Sequence, residues 1–472
     1  MEITQYTTEL DQFRLTLYQN FTNRADTVME LVDAISSKAD AQAVVEYSLA
    51  PSFRRSYSTL FKAINEVRLE PGVLAHTLAP YLPKPKQWPF WLLMVDVTPY
   101  PRPYAKTLED RGMVYQPEVV KGKLPVTIGH QYSTVALGLE AESGISGSWV
   151  LPLATERVAT TQDKELVGMD QISRLLTDEK LPFGQALTVE VADSSYSKVA
   201  YLHGHRQHDN LVTIVRARGT RTFYQPPVPA AAAPTGARRG HPRWYGARFA
   251  LADATTWPAP DATYTQQETS RRGKPYRVEV QAWHTLLMRG ETQPTKAPMH
   301  EHPFTLVHIV RYDHAGQPAF KHPLWLIVMG QRRGALTLAQ MVEAYATRFD
   351  LEHFFRFGKQ KMLLVAFETP EVAREETWWQ LVHISYAQLW LARHLTTLLP
   401  RPWERNLPAI RQRLISPSLV QRDFGRIIRQ LGTPAQPPKP RGYSLGRRQG
   451  MKLPKRPRQK VVVKSQMAAK PP

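Results

Sequence analysis

The stretch from Tyr345 to Lys359, YATRFDLEHFFRFGK, gathers side chains that can handle a phosphate group. On a helix advancing ~100° per residue, Tyr345, Arg348, Glu352 and Lys359 fall at roughly 0°, 300°, 340° and 320°, inside a ~60° sector. One carboxylate, two cations and a phenol then share a narrow face. Glu343 and Asp350 point the other way, at about 160° and 140°. A solvated amphipathic face has the same look, so acids elsewhere in the chain must decide. Asp96 stands near the end of FWLLMVDV, a run apolar on both faces as a central strand is. Asp193 closes the strand-like run ALTVEVAD. A carboxylate at the end of a buried strand is costly without a partner such as a metal ion. Two acids at strand ends and one on a late helix can hold two divalent ions of the hard, oxygen-preferring kind, Mg2+ above all. Such a pair, ~3.5–4 Å apart, stabilises both the entering and the leaving oxygen of an in-line phosphoryl displacement.

The elements that must position these acids follow from periodicity. Residues 1–85 read as helical: DTVMELVDAISSK, AQAVVEYSLA and SYSTLFKAINEV carry apolar residues at three- and four-residue spacing, with Asp26 and Asp40 as expected N-caps. Arg54, Arg55 and Lys62 make this segment a helical DNA-binding domain or, equally, a packing module. YLPKPKQWP is a proline-rich linker. From residue 86 to 216 the order is strand, strand, strand, helix, strand, helix, strand, with Asp96 and Asp193 on strands able to be neighbours. Residues 217–335 are rich in Pro, Gly, Thr and aromatics and contain YRVEVQAWHTLLM, FTLVHIVRYD and HPLWLIVMG, the pattern of a β-rich inserted domain. Thr337 is placed to cap the helix that opens residues 336–400, and ETWWQLVHISYAQLWLARHLTTLL is apolar nearly all round, hence buried. Residues 401–433 form a basic helical region and 434–472 a disordered basic tail.

Composition restricts the partners. The chain has 472 residues, 42% hydrophobic and 22% charged, which is a globular balance over several domains. It has no cysteine, so neither a disulfide framework nor a thiolate zinc site exists, in keeping with a reducing cytoplasm. The start, MEITQYTTELDQF, lacks a basic-then-apolar leader pattern, and no apolar run is long enough to span a bilayer. Net charge is +20. Residues 434–472 hold eleven Lys or Arg and no acid, so the rest of the chain carries 20 − 11 = +9. A basic body points to a polyanion, nucleic acid before an anionic membrane surface.

The Tyr-x2-Arg-x3-Glu-x6-Lys spacing at Tyr345, Arg348, Glu352 and Lys359 resembles the signature of bacterial insertion-sequence transposases of the insertion-sequence-four superfamily. The strand with VDVT, the strand ending ADSSY and the β-rich insertion before the glutamate helix extend the resemblance over roughly residues 86–400. It implies an α/β, RNase H-like core with a β-rich insertion, a helical N-terminal domain and a basic C-terminal tail. Asp96, Asp193 and Glu352 would be the first, second and third metal ligands, with two Mg2+ per site and Mn2+ able to substitute. Tyr345, Arg348 and Lys359 would contact transposon-end DNA, and Trp325 would stack on a flipped base. The implied activity is cut-and-paste transposition: nicking, a hairpin intermediate and strand transfer, by a dimer pairing two double-stranded DNA ends, in the cytoplasm near the nucleoid.

Rival readings are a domesticated or inactive DNA-binding descendant or a nuclease on the same fold, a zinc hydrolase built on HGHRQH (His203, His205, His208), and a nucleoid-binding protein working through its tail. The RRGHP run at 238–242 resembles a minor-groove hook, and PKRPRQK reads as a general phosphate binder.

Overall fold

A computed structural model describes residues 2–116, 125–227, 244–269, 273–291, 297–399, 401, 403, 414–440, 449–452 and 455–463. In chain order the described elements are α1 (Glu2–Asn20), α2 (Ala25–Ser37), α3 (Tyr57–Glu66), α4 (Val73–Leu78), β1 (Trp91–Pro101), β2 (Gly112–Tyr115), β3 (Val126–Gly138), β4 (Val150–Val158), α5 (Lys164–Thr177), β5 (Thr188–Ala192), α6 (Val199–Gly204) and β6 (Leu211–Ala217). There follow β7 (Thr222–Tyr224), β8 (Arg248–Ala250), β9 (Ala262–Thr269), β10 (Pro275–Leu286), β11 (Phe304–Tyr312), β12 (Leu324–Met329), α7 (Leu338–Thr347), α8 (Phe349–Lys361), α9 (Val372–Leu391), α10 (Leu395–Leu398) and α11 (Pro417–Leu431). The expected order between residues 86 and 216 is found, as β1, β3, β4, α5, β5, α6, β6, with the short β2 added. The RRGHP run lies outside the described residues.

The chain packs as two compact units, one of residues 1–84, 96–168 and 349–472, the other of 85–95 and 169–348. In the second unit, the first half of β1 pairs in parallel with β5, Met94 opposite Val191, and β5 pairs in parallel with β6, Val191 opposite Ile214. All five residues of β5 are buried, as are Trp91 to Val95, which is why these runs are apolar without alternation. β12 then pairs antiparallel with β6, and β11, β10 and β9 continue antiparallel outward. The strands expected as a separate inserted domain therefore extend the same sheet, because β12 is hydrogen-bonded along β6. Gly330 ends β12 with φ 142°, and a Cβ there would come within 2.4 Å of the Leu211 carbonyl oxygen, so only glycine fits the approach.

The first unit joins helices to an antiparallel β2–β3–β4 meander. α2 is buried from Thr27 to Ser36. Its polar side chains are satisfied internally: Arg14 pairs with Asp33 at 2.7 Å, and Gln388 of α9 donates to Asp33 and Ser36, each at 3.1 Å. Gln421 of α11 donates to the Ile35 carbonyl at 3.2 Å. This matching keeps a buried charge tolerable and fixes helix register. α9, expected as one buried helix, ends at Leu391, with α10 separate. Trp379 of α9 stacks on Tyr132 of β3 at 3.9 Å.

Three local expectations change. Asp26 and Asp40 are not N-caps: left-handed Arg24 precedes α2, and Asp26 instead accepts from the Tyr18 hydroxyl and the Gln436 backbone. Asp40 pairs with Lys38 ahead of a short turn that Ala43 precedes. The tail is not free throughout: among its described residues, Gln459 and Val462 donate backbone N–H groups to the Lys106 and Arg111 carbonyls, each at 2.9 Å, and Arg456 pairs with Glu371.

Candidate active site

In the first unit, Asp96 lies half-buried on β1 and accepts the backbone N–H of Val97 at 2.8 Å. Thr98 stands two residues on, hence on the same face of the strand. Lys359 of α8 donates to the Thr98 hydroxyl at 2.6 Å. Glu352 precedes Lys359 by two helical turns and shares its side of α8. The face of α8 that carries Glu352 and Lys359 thus runs along the side of β1 that carries Asp96. Glu352 itself is exposed. α8 is anchored by the buried Leu351, Phe354 and Phe355, with Phe354 edge-on to Tyr386 at 4.7 Å.

In the second unit, Asp193 leaves β5 two residues after Val191 and caps a tight turn, accepting the Ser195 N–H at 2.7 Å. Tyr345 comes close enough to feel its charge. Burial pushes the Tyr345 phenol up; the Arg348 and Arg216 charges pull it down, and the Asp193 carboxylate pushes it up. The Arg348 guanidinium lies 5.7 Å from the Tyr345 ring centroid. Tyr345 is 3% exposed and Arg348 7%, whereas Arg216, at the end of β6, is exposed. The helix expected to carry the whole signature is interrupted at Arg348: α7 opens after the expected Thr337, in a capping box with Gln340, and ends at Thr347; α8 starts at Phe349.

Trp325 is 2% exposed. It stacks on His308 at 4.1 Å and meets Trp257 at 5.1 Å and Trp283 at 6.1 Å. β12 is apolar throughout, so its tryptophan is drawn into the aromatic core and offers no open face to a base. The histidines of HGHRQH separate: His205 is buried against Glu190 at 2.8 Å, and His208 contacts Ser173. Among the described residues no three His, Asp or Glu side chains stand close enough together to hold one metal ion. Asp96, Asp193 and Glu352 offer carboxylate oxygens, the donors that hard cations such as Mg2+ or Mn2+ prefer.

Sequence reasoning missed Thr98 and Arg216, though the period of two in VDVT and the first cation of NLVTIVRAR mark both. It also missed a buried cluster in the first unit. Glu375 takes Arg102 at 3.0 Å, the His130 ring at 2.6 Å and the Tyr132 hydroxyl at 2.8 Å. No local pattern reveals it, because its members are up to 273 residues apart.

The family model described as DDE superfamily endonuclease matches residues 16–295, more than half of the chain. The match covers Asp96 and Asp193 and stops before Glu352. No curated protein matches the chain significantly. Among the described residues, no helix is long and apolar enough to cross a membrane.

Proposed function

Because the chain belongs to the DDE superfamily endonucleases, a family of nuclease-type enzymes, we propose that it is a DNA transposase of the insertion-sequence-four kind. Asp96, Asp193 and Glu352 are its metal-holding carboxylates. The observation that carries this reading is the Lys359–Thr98 contact, which lines the face of α8 that bears Glu352 along the Asp96 side of β1. In the other unit, Asp193 follows β5 by one residue and caps the turn after it.

When bound, divalent cations supply the charge that activates the attacking hydroxyl and steadies the departing oxygen. The protein's own groups do the remainder. Lys359 and the exposed Arg216 neutralise phosphate oxygens of the DNA. Tyr345 and Arg348, both buried, hold the surroundings of Asp193 and leave direct contact to their exposed neighbours. Trp325 supports the sheet. A hairpin intermediate, strand transfer and a dimer with paired ends complete the proposal, which the spacing of the signature supports.

The test is incubation of the full chain with Mg2+ and linear DNA containing the sequence around its gene, followed by mapping of the cut ends. Metal-dependent cleavage at two fixed positions is expected. Cleavage scattered over the DNA reduces the protein to a nuclease of the same family.

A further inference from the structure

Another part of the first unit has the makings of a ligand site. A cleft of about 750 Å3 opens between α11, the end of α2 and residues 50–54, with Arg401 and Trp403 on its rim. α11 buries Val420, Phe424 and Ile427 on one side. Its other side carries Arg422, Arg426 and Arg429, at i, i+4 and i+7, in one stripe facing the cleft. Several cations here are matched: Arg401 with Asp423 at 2.6 Å, and Lys38 with Asp40 at 3.1 Å. Arg422 and Arg429 are exposed and form no ion pair with any described residue. Arg426 donates through one nitrogen to the Leu399 carbonyl and its Nε lies 3.9 Å from the Asp423 carboxylate, while its second terminal nitrogen is buried and makes no hydrogen bond among the described residues. Trp403 is 68% exposed, with the Arg401 guanidinium 5.7 Å from its ring.

We propose that this cleft binds a single-stranded segment of nucleic acid, its phosphodiesters on the Arg422–Arg426–Arg429 stripe and a base on Trp403. A buried guanidinium nitrogen that lacks an acceptor is completed by a phosphate oxygen. An exposed indole beside a cation is a platform for any base, since every base has a π-face. A cavity of this size takes roughly one or two nucleotides rather than a duplex. None of its lining residues belongs to the carboxylate set. The inference rests on DNA being the substrate, and it assigns to the helical unit a hold on DNA strands away from the metal-holding acids.

The test measures fluorescence anisotropy of a labelled oligothymidylate of about eight nucleotides with the full chain, in EDTA so that no cleavage occurs. Trp403→Ala is expected to weaken binding about ten-fold. The double variant Arg422→Gln/Arg429→Gln is expected to flatten the slope of log K against log salt by about 1.4, at ~0.7 per phosphate contact. These side chains are exposed, so their replacement leaves the fold in place, and circular dichroism verifies that. Unchanged affinity and slope in both variants overturn the proposal, as does an equal loss for a duplex of the same length. Asp96→Asn, with cleavage abolished and oligonucleotide binding intact, supports both readings. If the parent protein cuts no DNA while the cleft variants still lose the oligonucleotide, the cleft stands and the transposase reading falls.

Discussion

Lys359 donates to the hydroxyl of Thr98 at 2.6 Å, across 261 residues of chain. The lysine is thereby fixed on the strand that bears Asp96. Removing either partner should cost about 1–3 kcal/mol, the range for a hydrogen bond to a charged group. Only Lys359→Met should also weaken DNA binding and lower its salt dependence; Thr98→Val should leave that slope as it is. Denaturant titration and anisotropy at several salt concentrations separate the two effects, and an unchanged slope in Lys359→Met would remove its phosphate contact.

The carboxylates should be indispensable for cutting and dispensable for holding DNA. Asp96→Asn, Asp193→Asn and Glu352→Gln are each expected to lower cleavage by more than about a thousand-fold, since charge stabilisation is the main contribution in phosphoryl transfer. Asp193→Asn keeps an acceptor for the Ser195 N–H, so its turn survives. Full activity in any one variant, with Mg2+ or with Mn2+, strikes that residue from the metal-holding set.

Trp325 should behave as a core residue. Trp325→Ala opens a cavity among Trp257, Trp283 and His308 and should destabilise the protein by about 3–5 kcal/mol. Urea unfolding measures it. A variant as stable as the parent but defective only in late steps on DNA would restore a stacking role.

Two buried histidines should make the protein acid-sensitive. Burial pushes His383 down to about 4, even though its Nδ1–H donates to the Trp379 carbonyl, and burial pushes His308 down to about 4 as well. Both folded values lie below the unfolded value of ~6.5, so the unfolded chain binds more protons between those limits. The stability is complete above ~6.5 and is lost as pH falls toward 4, by up to ~3 kcal/mol per histidine. Melting temperatures recorded from about pH 7 down to about pH 4.5 should fall. His383→Gln should flatten the decline; an identical slope would show that the carboxylates dominate.

The strands β1 and β5 and the Thr337 cap were legible because each depends on local sequence. An unbroken apolar run announces a buried strand, and TLAQ spells a capping box. What escaped depends on distant partners. Asp26 has the chemistry of an N-cap, but the Tyr18 hydroxyl and the Gln436 backbone take its oxygens, the latter 410 residues away. The family resemblance implies that Tyr345 and Arg348 contact DNA; both are buried here, and no local pattern tells which helix face a fold covers. Trp325 illustrates the same limit: a strand apolar on both faces predicts burial, and here burial outweighs the positional analogy.

The bonds of α2 to α9 and α11 have a consequence in time. Ile35 accepts from Gln421, 386 residues later. At ~5–20 residues per second, the ribosome needs roughly 20–80 s to supply that partner. Until then the Arg14–Asp33 pair and the apolar sides of α2 lack the helices that enclose them. The first helices made are among the last to be secured. Newborn chains therefore spend their synthesis exposed to chaperones and proteases, and any product truncated before α11 is marked for removal before it can reach DNA.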